Sequence, residues 1–94
     1  MTAFSINDYD NFFEAVLKLK DVDECRKFFA DVCTIKEIEA LSQRVEVAKL
    51  LTEGKNYQEI IKQTGASTAT ISRVNRCLNY GTGGYDIIFE NKED

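Results

Sequence analysis

Apolar residues return at three- and four-residue spacing in one segment after another, as they do in helices that pack one face inward. From Asp8, the residues Tyr9, Phe12, Phe13, Val16, Leu17 and Leu19 keep this period, with Lys18 and Lys20 at the C-terminal end, where the helix dipole favours cations. Asp21, with Glu24 three residues on, predicts a cap and a second helix that buries Val22, Cys25, Phe28, Phe29 and Val32. Thr34 and Glu37 repeat the signal and open a third helix to Glu53, with Ile35, Ile38, Leu41, Val45, Ala48 and Leu51 along one side and Gly54 as its stop. Asn56 and Glu59 cap a fourth helix over residues 57–64, and a fifth over 68–79 carries Ile71, Val74 and Leu78 on one face. After the flexible Gly81-Thr82-Gly83-Gly84, the segment from Tyr85 to Glu90 reads as a last helix docked on the body, although the run Ile87, Ile88, Phe89 also suits a strand. Residues 1–7 are expected to fray and 91–94 to be disordered. The pattern predicts an all-α fold of about six helices in a single domain over residues 1–94, with no internal repeat.

The segment 57–79 stands out within that pattern. Its two helices meet at Gly65-Ala66-Ser67, where glycine can take the left-handed conformation that ends a helix and Ser67 suits the N-cap of the next. Helix, short glycine turn, helix is the helix-turn-helix pattern, whose second helix normally enters the DNA major groove. With Ile71, Val74 and Leu78 inward, the outward positions are Thr68, Thr70, Ser72, Arg73, Asn75, Arg76 and Asn79. No acidic residue occurs from Thr64 to Tyr85. Thr68, Ala69 and Thr70 are therefore expected to face base edges, and Lys62, Ser67, Ser72, Arg73 and Arg76 to complete the DNA-binding surface, chiefly at phosphate. The plainer alternative is an ordinary solvated helix with polar outer residues.

Charge sharpens this picture. The 94 residues carry a net charge of −4, which argues against a general nucleic-acid binder, but the charge is unevenly placed. Residues 43–80 hold six basic and three acidic side chains, whereas both flanks are acidic. A focused basic segment between acidic flanks suits a localised DNA-facing surface. Cys25, Cys33 and Cys77 are odd in number and form no C-x-x-C pair, and there is no His, so neither a zinc site nor a Cys–His nucleophile can be assembled. Buried thiols in a reducing cytoplasm are expected. No apolar run reaches membrane-spanning length and no signal-peptide pattern opens the chain, so the expected location is the cytoplasm. Without a phosphate loop or a spaced acid pair in a cleft, no enzyme activity is expected.

The stretches Thr34-Ile-Lys-Glu-Ile-Glu-Ala-Leu-Ser-Gln-Arg-Val and Gly65-Ala-Ser-Thr-Ala-Thr-Ile-Ser-Arg resemble the Trp repressor superfamily, and in particular the YerC/YecD group of Trp-repressor-related proteins. The likeness to the repressor is best over residues 34–78; that to the group covers nearly the whole chain, including GASTATISRVNRCLNYG at 65–81. The resemblance implies an intertwined homodimer in which N-terminal helices of two chains wrap together, presenting two reading heads to double-stranded DNA as a transcription regulator. It also implies an effector pocket at positions matching Thr34, Arg44 and Arg73. Here the pattern departs from the repressor: Val74 stands where the repressor has glycine, and Cys77 replaces a hydroxyl residue. L-tryptophan is accordingly not expected as corepressor, a smaller anionic effector remains open, and Arg44 and Arg73 could instead pair with Glu or phosphate. The rival function is a helical dimer that uses the same exposed face to bind protein rather than DNA.

Overall fold

In a computed structural model the chain is described over residues 5–89. These residues form a short 3-10 turn, Ile6–Tyr9, and six α-helices: α1 (Asp10–Val16), α2 (Val22–Val32), α3 (Ile35–Thr52), α4 (Tyr57–Thr64), α5 (Thr68–Tyr80) and α6 (Gly84–Phe89). There is no strand among the described residues, and the ambiguous segment after Gly84 is a helix. Its expected end at Glu90, the expected disorder at 91–94 and the fraying expected at 1–4 lie outside the described residues. Ser5 to Asn7, also expected to fray, enter a 3-10 turn that Ser5 caps by accepting from the Asn7 amide at 3.3 Å. The chain divides into two compact units, one ending at Ile35 and one beginning at Lys36.

The N-terminal unit is organised by aromatic rings. Phe12 contacts Phe13 edge-on at 5.5 Å and stacks on Phe28 at 6.3 Å, while Phe28 meets Phe29 edge-on at 5.1 Å. Pairs of this geometry add about 0.5–1.5 kcal/mol each beyond area burial. No residue of α1 or α2 is buried, however. Val22 and Val32, expected inward, are exposed, and Leu17 is more exposed still. The first helix also stops earlier than its apolar period suggests. After Val16 the backbone tightens, Lys18 N donating to Ala15 O and Leu19 N to Val16 O. The Lys20 amide is then taken by the Glu24 carboxylate at 2.8 Å, and Asp21 caps α2 through the Glu24 amide at 2.9 Å. These caps claim the backbone that a longer first helix would have used.

The C-terminal unit has a conventional core. Val47, Ala48 and Leu50 from α3, Ile60 from α4, Ala66 from the turn, and Ile71 and Val74 from α5 are buried together, with Leu51, Tyr57, Leu78, Tyr85 and Phe89 packed around them. The face that α3 buries shares only part of the expected stripe: Ala48 is buried and Leu51 packs on the core as expected, but Ile35, Leu41 and Val45 are exposed, and Val47 and Leu50 are buried beside Ala48. The sequence Val45-Glu-Val-Ala-Lys-Leu-Leu is apolar on more than one side, so periodicity alone did not select among them. Helix α3 ends in a Schellman motif, Lys55 N donating to Leu50 O and Gly54 N to Leu51 O.

Candidate nucleic-acid interface

Helices α4 and α5 are set by local chemistry at each end. Asn56 and Glu59 form a reciprocal capping box, each side chain accepting from the other's amide at 2.9 Å. Helix α4 ends at Gly65 with φ 75°, its amide donating to Ile61 O at 2.8 Å. A side chain there would meet no atom within 4 Å, so the demand for glycine is conformational and not spatial. Thr64 stitches the turn: its hydroxyl donates to Ile60 O at 2.7 Å and accepts from the Ala66 amide at 3.0 Å. The buried Ala66 then leads to Ser67, whose Oγ accepts from the Thr70 amide at 3.1 Å and starts α5.

A further tie joins this turn to α3. Gln43 Nε2 donates to the Thr64 carbonyl at 3.2 Å, a part-buried contact across 21 residues of chain. Together with the shared core it fixes the turn against α3. No sequence signal marked Gln43, because a glutamine that spans to a distant carbonyl looks like any polar helix residue.

The outward side of α5 is exposed at most, not all, of the expected positions. Thr68, Ala69, Ser72, Arg73 and Arg76 are exposed, as are Lys62 on α4 and Ser67 at the cap, and Ile71 and Val74 are buried. Thr70 and Asn75, expected outward, are half-buried. Among the described residues no carboxylate pairs with Lys62, Arg73 or Arg76; an exposed ion pair of 3.4 Å joins Lys27 and Asp23 on α2 instead. The cations therefore stand without a carboxylate partner beside a helix start rich in small hydroxyls, and no acidic residue occurs from Thr64 to Tyr85 to repel a phosphate.

The positions of the expected effector pocket are less uniform. Arg44 is half-buried and, like Arg73, unpaired with any Glu among the described residues, and Thr34 is exposed. Val74 is 1% exposed and belongs to the core. Cys77 is exposed rather than buried, a departure from the expected buried thiols, while Cys25 and Cys33 are half-buried. It lines an apolar groove of about 460 Å³ with Val45, Gly81, Thr82, Gly84, Tyr85 and Ile88, which neither arginine lines. At the C-terminus of α5 a Cβ on Gly81 would sit 2.5 Å from the carbonyl oxygen of Cys77 in the same helix. Among the described residues, no three His, Cys, Asp or Glu side chains are grouped to hold a metal ion, and no helix is long and apolar enough to cross a membrane.

A capped helix, a left-handed glycine turn and a second capped helix sharing one core define a helix-turn-helix protein. The family model for the Trp repressor protein matches residues 7–93, and the chain belongs to that family. It is 52% identical over 87 residues to the uncharacterized protein YerC of Bacillus subtilis (strain 168), covering 93% of this chain and 84% of YerC. Among solved structures it is similar to a TrpR-like protein from Eubacterium eligens ATCC 27750, with a TM-score of 0.86, 59% identity, and coverage of 92% of this chain and 89% of that one. A Trp repressor candidate from Staphylococcus aureus gives a TM-score of 0.86 at 45% identity, covering 92% of this chain and 86% of that one.

Proposed function

We propose that the protein is a sequence-specific DNA-binding transcription regulator that acts as a helix-turn-helix homodimer in the cytoplasm and not as an enzyme. The observation that carries this is the outer side of α5: exposed Thr68, Ala69, Ser72, Arg73 and Arg76, joined by Lys62 and without a carboxylate partner. A helix offering small side chains at its start and free cations further along meets the two needs of groove entry, close approach and phosphate neutralisation. Thr68, Ala69 and Thr70 read base edges, and Lys62, Ser72, Arg73 and Arg76 hold the backbone.

Two heads are required for a site of useful length, and the unburied aromatic surface of α1 and α2 supports a second copy as partner. Such a dimer prefers paired half-sites about one helical turn apart. L-tryptophan is not its corepressor, because Val74 fills with core-packed methyl groups the place of the repressor's glycine; Arg44 and Arg73 leave room for a smaller anion.

The test is selection of bound sequences from random duplexes, followed by anisotropy across a salt series. A DNA complex loses affinity linearly in log salt, with a slope set by the phosphates contacted. Binding that selects no sequence and ignores salt would instead favour the protein-interaction module.

A further inference from the structure

Gly65, where the chain turns from α4 toward α5, has open space around it: φ is 75°, and a Cβ there would meet no atom within 4 Å. Neither a side chain of its own nor a neighbouring wall limits its torsions. The direction of α5 therefore depends on what holds the two peptide planes that flank this glycine. The plane after it is held from α4, the Ala66 amide donating to the Thr64 hydroxyl at 3.0 Å. The plane before it is held at both ends. Its amide, from Gly65, donates to Ile61 O at 2.8 Å, and its carbonyl, from Thr64, accepts from Gln43 Nε2 at 3.2 Å. We propose that Gln43 is a positioning residue for DNA reading, which ties the Gly65 hinge to α3 and so sets the direction in which α5 meets base edges. This rests on the DNA-binding function proposed above and adds a residue outside the helix-turn-helix that governs its discrimination.

The direction of the bond follows from the groups. A carbonyl only accepts, so the amide nitrogen of Gln43 must face Thr64. By the same rule the Thr64 hydroxyl donates to Ile60 O at 2.7 Å and accepts from Ala66. Those bonds and that of the Gly65 amide refer the turn to α4. Gln43, half-buried on α3 and 21 residues away along the chain, refers it to a different helix. The core shared by α3, α4 and α5 is apolar, and apolar attraction is non-directional. A hydrogen bond weakens steeply with angle and adds a directional restraint to that core.

Reading a base and holding a phosphate differ in the same respect. Base edges are recognised by short directional hydrogen bonds, which fail when a helix is misdirected. Attraction of Lys62, Arg73 and Arg76 to phosphate is independent of sequence and tolerates such an error. Loss of the Gln43 bond should therefore lower discrimination and leave the salt slope alone.

The experiment uses the full chain and compares wild type with Gln43→Met, which keeps the length without a donor, and Gln43→Asn, which keeps the amide but is one methylene short. Anisotropy across a salt series is read on the duplex that wild type selects, on its single-base variants and on a random duplex, with urea unfolding alongside. Both variants should stay folded and lose about tenfold in the ratio of selected to random affinity. The loss should spread over neighbouring base positions, with the preferred sequence and the salt slope unchanged. Adding Gly65→Asn to Gln43→Met should restore most of it, because asparagine tolerates the left-handed conformation and narrows the hinge. A ratio unchanged in both Gln43 variants overturns the proposal even if the urea midpoint falls, since the bond is then structural only. Loss confined to one base position overturns it as well, by making Gln43 a direct base contact. Wild-type protein that selects no sequence at all would overturn the DNA-binding function and this inference with it, an outcome recognisable before any variant is made.

Discussion

Replacing Phe28 by alanine removes the ring that links the aromatic contacts of α1 to those of α2, with its centroid 6.3 Å from Phe12 and 5.1 Å from Phe29. The cost depends on whether a second copy covers this face. In a lone chain no residue of α1 or α2 is buried, and Phe12 and Phe13 remain 40% and 39% exposed. The ring then leaves a surface that water already reaches, and the loss is roughly 1–2 kcal/mol, a fraction of the value for full burial of a Phe. In a dimer that encloses the rings, each Phe28→Ala leaves a cavity worth about 3–5 kcal/mol. Two such sites amount to roughly 6–10 kcal/mol, comparable with the whole stability of a small domain. The variant should therefore unfold rather than merely dissociate. Sedimentation at micromolar concentration and denaturant unfolding at two protein concentrations measure both points, since a dimer's midpoint rises with concentration. A folded wild-type monomer, with a concentration-independent midpoint and a Phe28→Ala loss near 1 kcal/mol, would refute the argument.

The other expectations concern the reading head and its control. Arg76→Ala should weaken binding to all sequences alike and flatten the salt slope by roughly one unit, and an unchanged slope would mean that Arg76 does not touch phosphate. Gly65→Ala should cost roughly 1–2 kcal/mol by denaturation, because φ is 75° and no atom lies within 4 Å to add a clash; a loss much above this would place a contact there. Added L-tryptophan, followed by its own fluorescence in a chain that has no Trp, should show no saturable binding at micromolar levels and leave DNA affinity unchanged.

The legible parts of the fold were those specified by neighbours in sequence. Asn56 with Glu59, Gly65 and Ser67 each act over at most three residues, and the boundaries of α4 and the start of α5 stand where those signals put them. The face of α5 was legible too, because Ile71, Val74 and Leu78 are its only periodic apolar set. The first helix was not. Its apolar period continues through Leu17 and Leu19, but capping of α2 by Asp21 and Glu24 takes the chain away after Val16. Thr70 was expected to stand outward and is half-buried, with its hydroxyl 3.2 Å from that of Ser67, a side-chain contact that spacing does not encode. Gln43 stayed invisible for the same reason.

Helix α3 explains why its own stripe misled. One side of it, Val47 and Leu50, is buried with Ile60, Ile71 and Val74 and so belongs to the core that fixes α4 and α5. Another side, with Leu41 and Val45 at 47% and 46% exposure, is apolar without being covered. On the dimeric regulator proposed above, the first side would stiffen the α4–α5 unit within a single chain and the second would be available to a second copy. Substitutions should separate accordingly. Val47→Ala should loosen the head and cost sequence preference, whereas Leu41→Asp should leave the head's own core intact and weaken self-association. If the protein acts as a two-headed dimer, that loss should weaken binding to paired half-sites, which anisotropy on duplexes carrying one and two half-sites measures.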